Sequence, residues 1–271
     1  LTENVAIPVN KQVIIPEGTA ITLKLNGKSL TVDEDCGIYV KGSLTIEGEG
    51  TITASKTPIK IDGGSLTLNS GKIVSTGDYG TYALNGGSVT VNGGEIESKW
   101  AALSGNNTTG TMNFEINGGT LTAKEGPAIY MPNQVKLTIT NGTLNGGVSL
   151  RMGQVDISGG TINATKGSID NPKEFYNYSG NAWLPDALYV FGGTYNSEDA
   201  HGNALKLNIT GGTFNRENGQ GSAVAIYDLG RVAQAQSVDI SGNAVLKTNA
   251  TGRKAYQVLS LADIGVTAPA A

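Results

Sequence analysis

One phrase, repeated nine times, constrains this chain more than any other feature. It consists of an apolar-x-apolar triplet, a polar residue, a glycine pair or its relic, and a second short alternating run. It reads LTIEGEGTITA from Leu44, LTLNSGKIVS from Leu66, VTVNGGEIES from Val89, FEINGGTLTA from Phe114 and LTITNGTLNG from Leu137. It continues as VDISGGTINA from Val155, LYVFGGTYNS from Leu188, LNITGGTFNR from Leu207 and VDISGNAVLK from Val238. Start-to-start separations are 22, 23, 25, 23, 18, 33, 19 and 31 residues, so most match one three-sided coil and two mark insertions. A third short segment precedes many copies: GIYV at Gly37, PIKI at Pro58, TYAL at Thr81, AIYM at Ala128, SLRM at Ser149 and AIYD at Ala225. Each coil therefore carries three strands.

Period-2 alternation puts Leu44 and Ile46, Leu66 and Leu68, and Val89 and Val91 on one face, with Thr45, Thr67 and Thr90 on the other. The same residue type returns at the same phase of every coil, as stacking of parallel coils about 4.8 Å apart requires. No window has the i, i+3, i+4, i+7 spacing of an amphipathic helix. The expected fold is all-β, a single-stranded right-handed parallel β-helix of about nine to ten coils with almost no helix. Val91, Ile116, Ile139, Ile157, Ile209 and Ile240 are expected in one buried internal ladder. Residues 1–36 read as an N-terminal cap merging into the first coil, 37–248 as the β-helix and 249–271 as a C-terminal cap or tail.

Composition excludes the competing classes. Glycine supplies 39 of 271 residues but proline only 8, and the glycines recur as spaced pairs, which fits neither collagen nor a disordered linker. A net charge of −4 with 15 % charged residues leaves no basic face for nucleic acid. Cys36 is the single cysteine, so no intrachain disulfide forms. No run approaches the roughly 18 apolar residues of a membrane span. Leu1 opens directly into LTENVAIP without an export signal, and a chain beginning without methionine reads as a mature or excised piece.

The opening LTENVAIPVNKQVIIPEGTAITLKLNGKSLTV, followed by serial NGGT coils, resembles the pectate-lyase-like β-helix repeats of bacterial surface proteins and bacteriophage virion proteins. The similarity covers essentially the whole chain. It implies the fold and an extracellular, cell-surface or virion location, but no chemistry, since lyases, hydrolases, adhesins and phage fibres share it. The hydrolase pattern that the resemblance would supply, Asn-Thr-Asp, Asp-Asp and Gly-His-Gly, is missing, and only His201-Gly202 survives of it. A lyase would need a basic residue near calcium-binding carboxylates, but Asp33-Glu34-Asp35 is contiguous and lies beside the cap. One histidine and one cysteine cannot build a zinc site. No catalytic residue, metal or cofactor is expected.

Two candidate binding surfaces remain. The interval between Val155 and Leu188 holds Phe175, Tyr176, Tyr178 and Trp183, with Asp170, Lys173, Glu174 and Asp186 nearby; rings stack on sugar faces while polar neighbours take hydroxyls. The third segments place Tyr39, Lys60, Tyr130, Arg151 and Tyr227 outward as a stripe, and Arg231 joins Tyr227 in a second long interval. Contact is expected on the side carrying residues 167–187 and 216–236. The leading functional expectation is a noncatalytic surface or virion scaffold, an adhesin contacting host or cell-surface glycan, with a homotrimer as one assembly it would suit. The alternative is a polysaccharide hydrolase or lyase with carboxylates on noncontiguous coils, drawn from Asp156, Glu198, Asp199, Asp228 and Asp239. An ice-binding solenoid is set aside because Thr-x-Thr ladders are not expected to recur on one flat face.

Overall fold

The computed structural model describes residues 1–32, 36–105, 110–164, 184–191, 205–216, 221–228, 236–248 and 254–260. The chain is a parallel β-helix, all strand and no helix among these residues. No helix is long and apolar enough to cross a membrane.

Three ladders form three faces. The first is a ten-stranded sheet running from Val5–Ile7 through Lys28–Val32, Gly50–Ala54, Lys72–Ser75 and on to Val245–Lys247. The second runs from Val13–Ile15 through Ile38–Val40, Ile59–Asp62 and Thr81–Leu84 to Tyr256–Ser260. The third runs from Ala20–Lys24 through Ser43–Glu47 and Ser65–Leu68 to Gln236–Ile240. The second and third join as one 17-stranded sheet, because Ile129–Ile139 and Val148–Ile157 pass around the corner without breaking. Strands on all three faces are already present within residues 5–32.

The repeated phrase is a third-face strand, a corner and a first-face strand. Its alternation sends every second residue into a shared core: Val91, Ile116, Ile139, Ile157 and Ile209 are buried and stacked in register. Ile240 continues that ladder but is only partly buried, and no described strand stacks beyond it. The corners demand glycine. Gly94 has a φ of 74°, and a Cβ on it would fall 2.5 Å from the Gly71 carbonyl oxygen of the coil below. The polar residue before the glycines stacks as well: Asn92 Nδ2 donates to Asn69 Oδ1 at 2.9 Å, and Asn117 Nδ2 to Asn92 Oδ1 at 3.1 Å.

One copy of the phrase was misplaced. LYVF at Leu188 pairs with Val148–Leu150 and with Val224–Tyr227, so it belongs to the second face and not the third. Val155 pairs directly with Leu207, which makes the interval between them one long coil, with residues 165–183 and 192–204 lying between ladder strands. Leu-Tyr-Val-Phe alternates as any strand does, and the glycines after it imitate the corner of the phrase.

The first face carries a threonine column beside an amide column, and the Thr-x-Thr pair of Thr120 and Thr122 does not recur on the strands after it. On the first face, Thr120 and Thr122, Thr143 and Asn145, Thr161 and Asn163, and Thr213 and Asn215 form two outward columns over four successive strands. The amides are tied to one another: Asn145 Nδ2 donates to Thr122 Oγ1 at 3.3 Å and Asn163 Nδ2 to Asn145 Oδ1 at 2.8 Å. Nearer the N-terminus the same face carries charge. Lys72 Nζ lies 3.1 Å from Glu95 and 2.9 Å from Glu97, and Lys124 Nζ lies 2.6 Å from Glu97.

Candidate functional site

The second face carries the outward side chains named from sequence, and its register defines their order. Tyr39, Lys60, Tyr82, Ser104, Tyr130, Ser149, Tyr189 and Ala225 form one column, each beside the next. Tyr39, Lys60 and Tyr130 thus share a stripe. Arg151 and Tyr227 do not: Ser149 faces Tyr130 and Ala225 faces Tyr189, so Arg151 and Tyr227 stand two residues further along their strands. A two-residue slip preserves which face a side chain is on, so alternation fixes the face and leaves the register open.

Burial divides the column. Tyr39, Lys60 and Tyr82 are half-buried, whereas Ser104, Tyr130, Ser149 and Tyr189 are buried, as are Arg151 and Tyr227 beside them. In the buried part Asp186 is an anchor between coils. Its Oδ2 accepts from the Tyr227 hydroxyl at 2.5 Å and its Oδ1 from the Ser222 backbone N–H at 2.5 Å. Burial pushes the Tyr189 hydroxyl far above its ordinary pKa. Tyr130, Arg151 and Tyr227 are therefore buried and form no exposed stripe.

The accessible part is an aromatic patch edged with cations. Tyr79, in the corner before Thr81–Leu84, stacks on Tyr82 with ring centroids 5.5 Å apart and planes 29° from parallel. Trp100 occupies the equivalent corner one coil on, its backbone N–H donating to the Asp78 backbone carbonyl at 3.3 Å, and Lys99 Nζ sits 4.7 Å from its ring centroid. Lys41 Nζ lies 5.8 Å from the Tyr39 centroid. The Tyr39 hydroxyl donates to Asp62 Oδ2 at 2.7 Å, and Asn85 Nδ2 donates to Asp62 Oδ1. The bond to Asp62, with burial behind it, pushes the Tyr39 pKa up to about 12. The bonds from Tyr39 and then Asn85 hold Asp62 below the ordinary carboxylate range. An aspartate so held is a fixed acceptor, unsuited to protonating a leaving group.

Tyr79, Tyr82 and Trp100 were not singled out from sequence. The signal was present for Tyr82, which follows Lys60 by 22 residues, one coil length, inside the TYAL segment.

Of the carboxylates considered for hydrolysis, Asp156 and Asp239 stand in one outward column of the third face with Asn208 between them. Asp156 Oδ1 accepts from Asn208 Nδ2 at 3.2 Å and Oδ2 from Gln154 Nε2 at 2.8 Å. Among the described residues no group of three or more His, Cys, Asp or Glu side chains is placed to hold a metal ion. Phe175, Tyr176, Tyr178, Trp183, Arg231, Asp170, Lys173, Glu174, Glu198, Asp199, His201 and the run Asp33 to Asp35 lie outside the described residues, as does the side chain of Asp228. Compared with family models, curated proteins and solved structures, the chain finds no match.

Proposed function

We propose that the chain is a noncatalytic scaffold of a cell surface or virion, an adhesin-type β-helix that holds glycan on its second face. The observation that carries this reading is the half-buried ladder Tyr39, Lys60, Tyr82, with Tyr79 and Trp100 alongside. Rings fixed to a rigid sheet offer apolar faces to sugar C–H groups at little entropic cost, while lysines and amides at the edge take hydroxyls. An extracellular location and a homotrimer belong to the same reading, since a rod that displays binding faces gains avidity from several copies.

A glycan array on the purified chain, run beside a reducing-end release assay, tests it. Binding without turnover, lost in Tyr82→Ala and Trp100→Ala, is the expected result. Silence across the array rejects the reading.

The Asp156, Asn208, Asp239 column favours hydrolysis as a second reading. Two ladder spacings separate the aspartate backbones by about 9.6 Å, just past the roughly 9.5 Å upper end of the carboxyl separation in an inverting pair. Reducing ends that vanish in both Asp156→Asn and Asp239→Asn would establish it.

A further inference from the structure

An asparagine followed by glycine is prone to attack on its own amide, because glycine sets no side chain beside the backbone nitrogen that attacks. Seven such pairs occur in the chain, and all but Asn218–Gly219 lie among the described residues: they begin at Asn26, Asn85, Asn92, Asn117, Asn141 and Asn145. The fold holds the amides of five. Asn26 Nδ2 donates to the Leu1 carbonyl at 3.1 Å, and Asn85 Nδ2 donates to Asp62 Oδ1. Asn92 and Asn117 belong to the corner ladder, where Asn117 Oδ1 also accepts from Thr140 Oγ1 at 2.8 Å. Asn145 donates to Thr122 and accepts from Asn163.

Asn141 is the exception, and the register explains why. Val91, Ile116, Ile139, Ile157 and Ile209 are stacked, so two residues further on Gly93, Gly118, Asn141, Gly159 and Gly211 share one corner position. The ladder position just before it is taken by Thr140. A side chain in the glycine position has Gly118 on one neighbouring coil and Gly159 on the other, and neither carries a group to hold an amide. Asn141 is exposed, and its side chain makes no hydrogen bond. The backbone N–H groups of Thr140 and Thr143 donate to Ile116 and Gly119, whereas that of Gly142 donates to no carbonyl among the described residues. The amide carbon and the nitrogen that would attack it are both unheld here.

We infer that Asn141–Gly142 is a site of spontaneous deamidation, the one Asn-Gly pair among the described residues that the folded chain leaves open to it. The Gly142 nitrogen gives its proton to hydroxide and bonds to Cγ of Asn141, and the Cγ–Nδ2 bond breaks with loss of ammonia. The product is a five-membered succinimide. Water then adds to one of its two carbonyl carbons and opens the ring. Opening at Cγ leaves aspartate on an unchanged backbone; opening at the main-chain carbonyl carbon of Asn141 leaves isoaspartate, with the chain rerouted through Cβ and Cγ. One water enters, one ammonia leaves, and nothing is oxidised or reduced. Either product sets a new carboxylate on the corner between the third and first faces.

The test is to keep the purified intact chain warm at mildly alkaline and at mildly acidic pH, sample it over weeks and read every Asn-Gly peptide by mass spectrometry. An isoaspartyl methyltransferase marks the rearranged product. The Asn141 peptide should change first, into aspartyl and isoaspartyl forms, roughly tenfold or more faster than the other five, as the loss of one or two hydrogen bonds before reaction requires. It should change faster at the alkaline pH, where the Gly142 N–H is more readily deprotonated. In urea the six rates should converge, since the dipeptide is then common to all and the fold is gone. Asn141→Gly, which restores the glycine pair, should abolish the early product and leave the melting temperature nearly unchanged. An Asn141 peptide that stays intact in the folded chain, a held pair that reacts as fast, or the same order of rates in urea as in the fold would each overturn the inference.

Discussion

Asn215 Nδ2 donates to Asn163 Oδ1 at 3.0 Å across 52 residues of sequence, while Asn163 donates in turn to Asn145, 18 residues earlier, at 2.8 Å. The amide column takes no notice of how much chain lies between its members. Asn163 makes both bonds and Asn215 only one of them, so the two should differ when truncated. Asn163→Ala is expected to lower stability by about 1 to 2 kcal/mol and Asn215→Ala by about half as much. Urea unfolding of both variants checks this, and equal losses would mean that the column is decoration.

Thr81 occupies an inward position between Ile59 and Leu103, and its hydroxyl is buried without a hydrogen-bond partner among the described residues. Thr81→Val keeps the shape and removes the stranded hydroxyl. It should raise stability by about 1 kcal/mol. In the same core Ile139→Asp should prevent folding, since an unpaired buried carboxylate costs several kcal/mol against a total of roughly 5 to 15. Thermal melts separate the two directions.

The Tyr39–Asp62 bond sets two titrations apart. Tyr39 has its pKa raised from 10.0 to about 12, so its contribution to stability is complete below pH 10 and is lost as pH rises through 12. Asp62 is held below 3.8, so its contribution is complete above that value and is lost as pH falls through the lower folded pKa. In Asp62→Asn, ultraviolet titration should show one tyrosine returning towards 10. In Tyr39→Phe, carboxyl NMR should show Asp62 rising towards the ordinary range.

Position along one column should decide what a tyrosine does. Tyr82→Ala is expected to weaken glycan binding tenfold or more with the melting temperature nearly unchanged, because the ring is half-buried on a finished sheet. Tyr130→Ala, in the buried part, should lower the melting temperature by several degrees and leave binding nearly intact. Calorimetry of binding and of unfolding on the same two variants distinguishes packing from recognition.

The ladders of the first and third faces were legible because the phrase carries its own landmarks. A glycine pair in a corner cannot be displaced without driving a Cβ into the carbonyl below, as at Gly94, so sequence fixes both face and register there. The second face has such a landmark only in its early coils, at Gly42, Gly64 and Gly87. Further on, Ile129–Ile139 and Val148–Ile157 run through the corner as single strands, and so Arg151 was placed beside Tyr130 where Ser149 stands, and Leu188 was assigned to the wrong face. Burial of the upper part of the column was illegible for a related reason, since an outward tyrosine at Tyr130 and one at Tyr39 look alike in sequence. In the aromatic corner Tyr79 stacks on Tyr82 of its own coil and Trp100 is tied to Asp78 of the coil below by a backbone bond, and the strand alternation announces neither.

The unequal coils have a metrical consequence. Each winding raises the rod by one ladder spacing of about 4.8 Å, whether it spends 18 residues or 52. Height counts windings; residue number measures girth. The coil from Asn163 to Asn215 thus costs the rod no more height than the coil from Asn145 to Asn163, so that the rod behaves as a ruler whose graduations are indifferent to how much chain each winding spends.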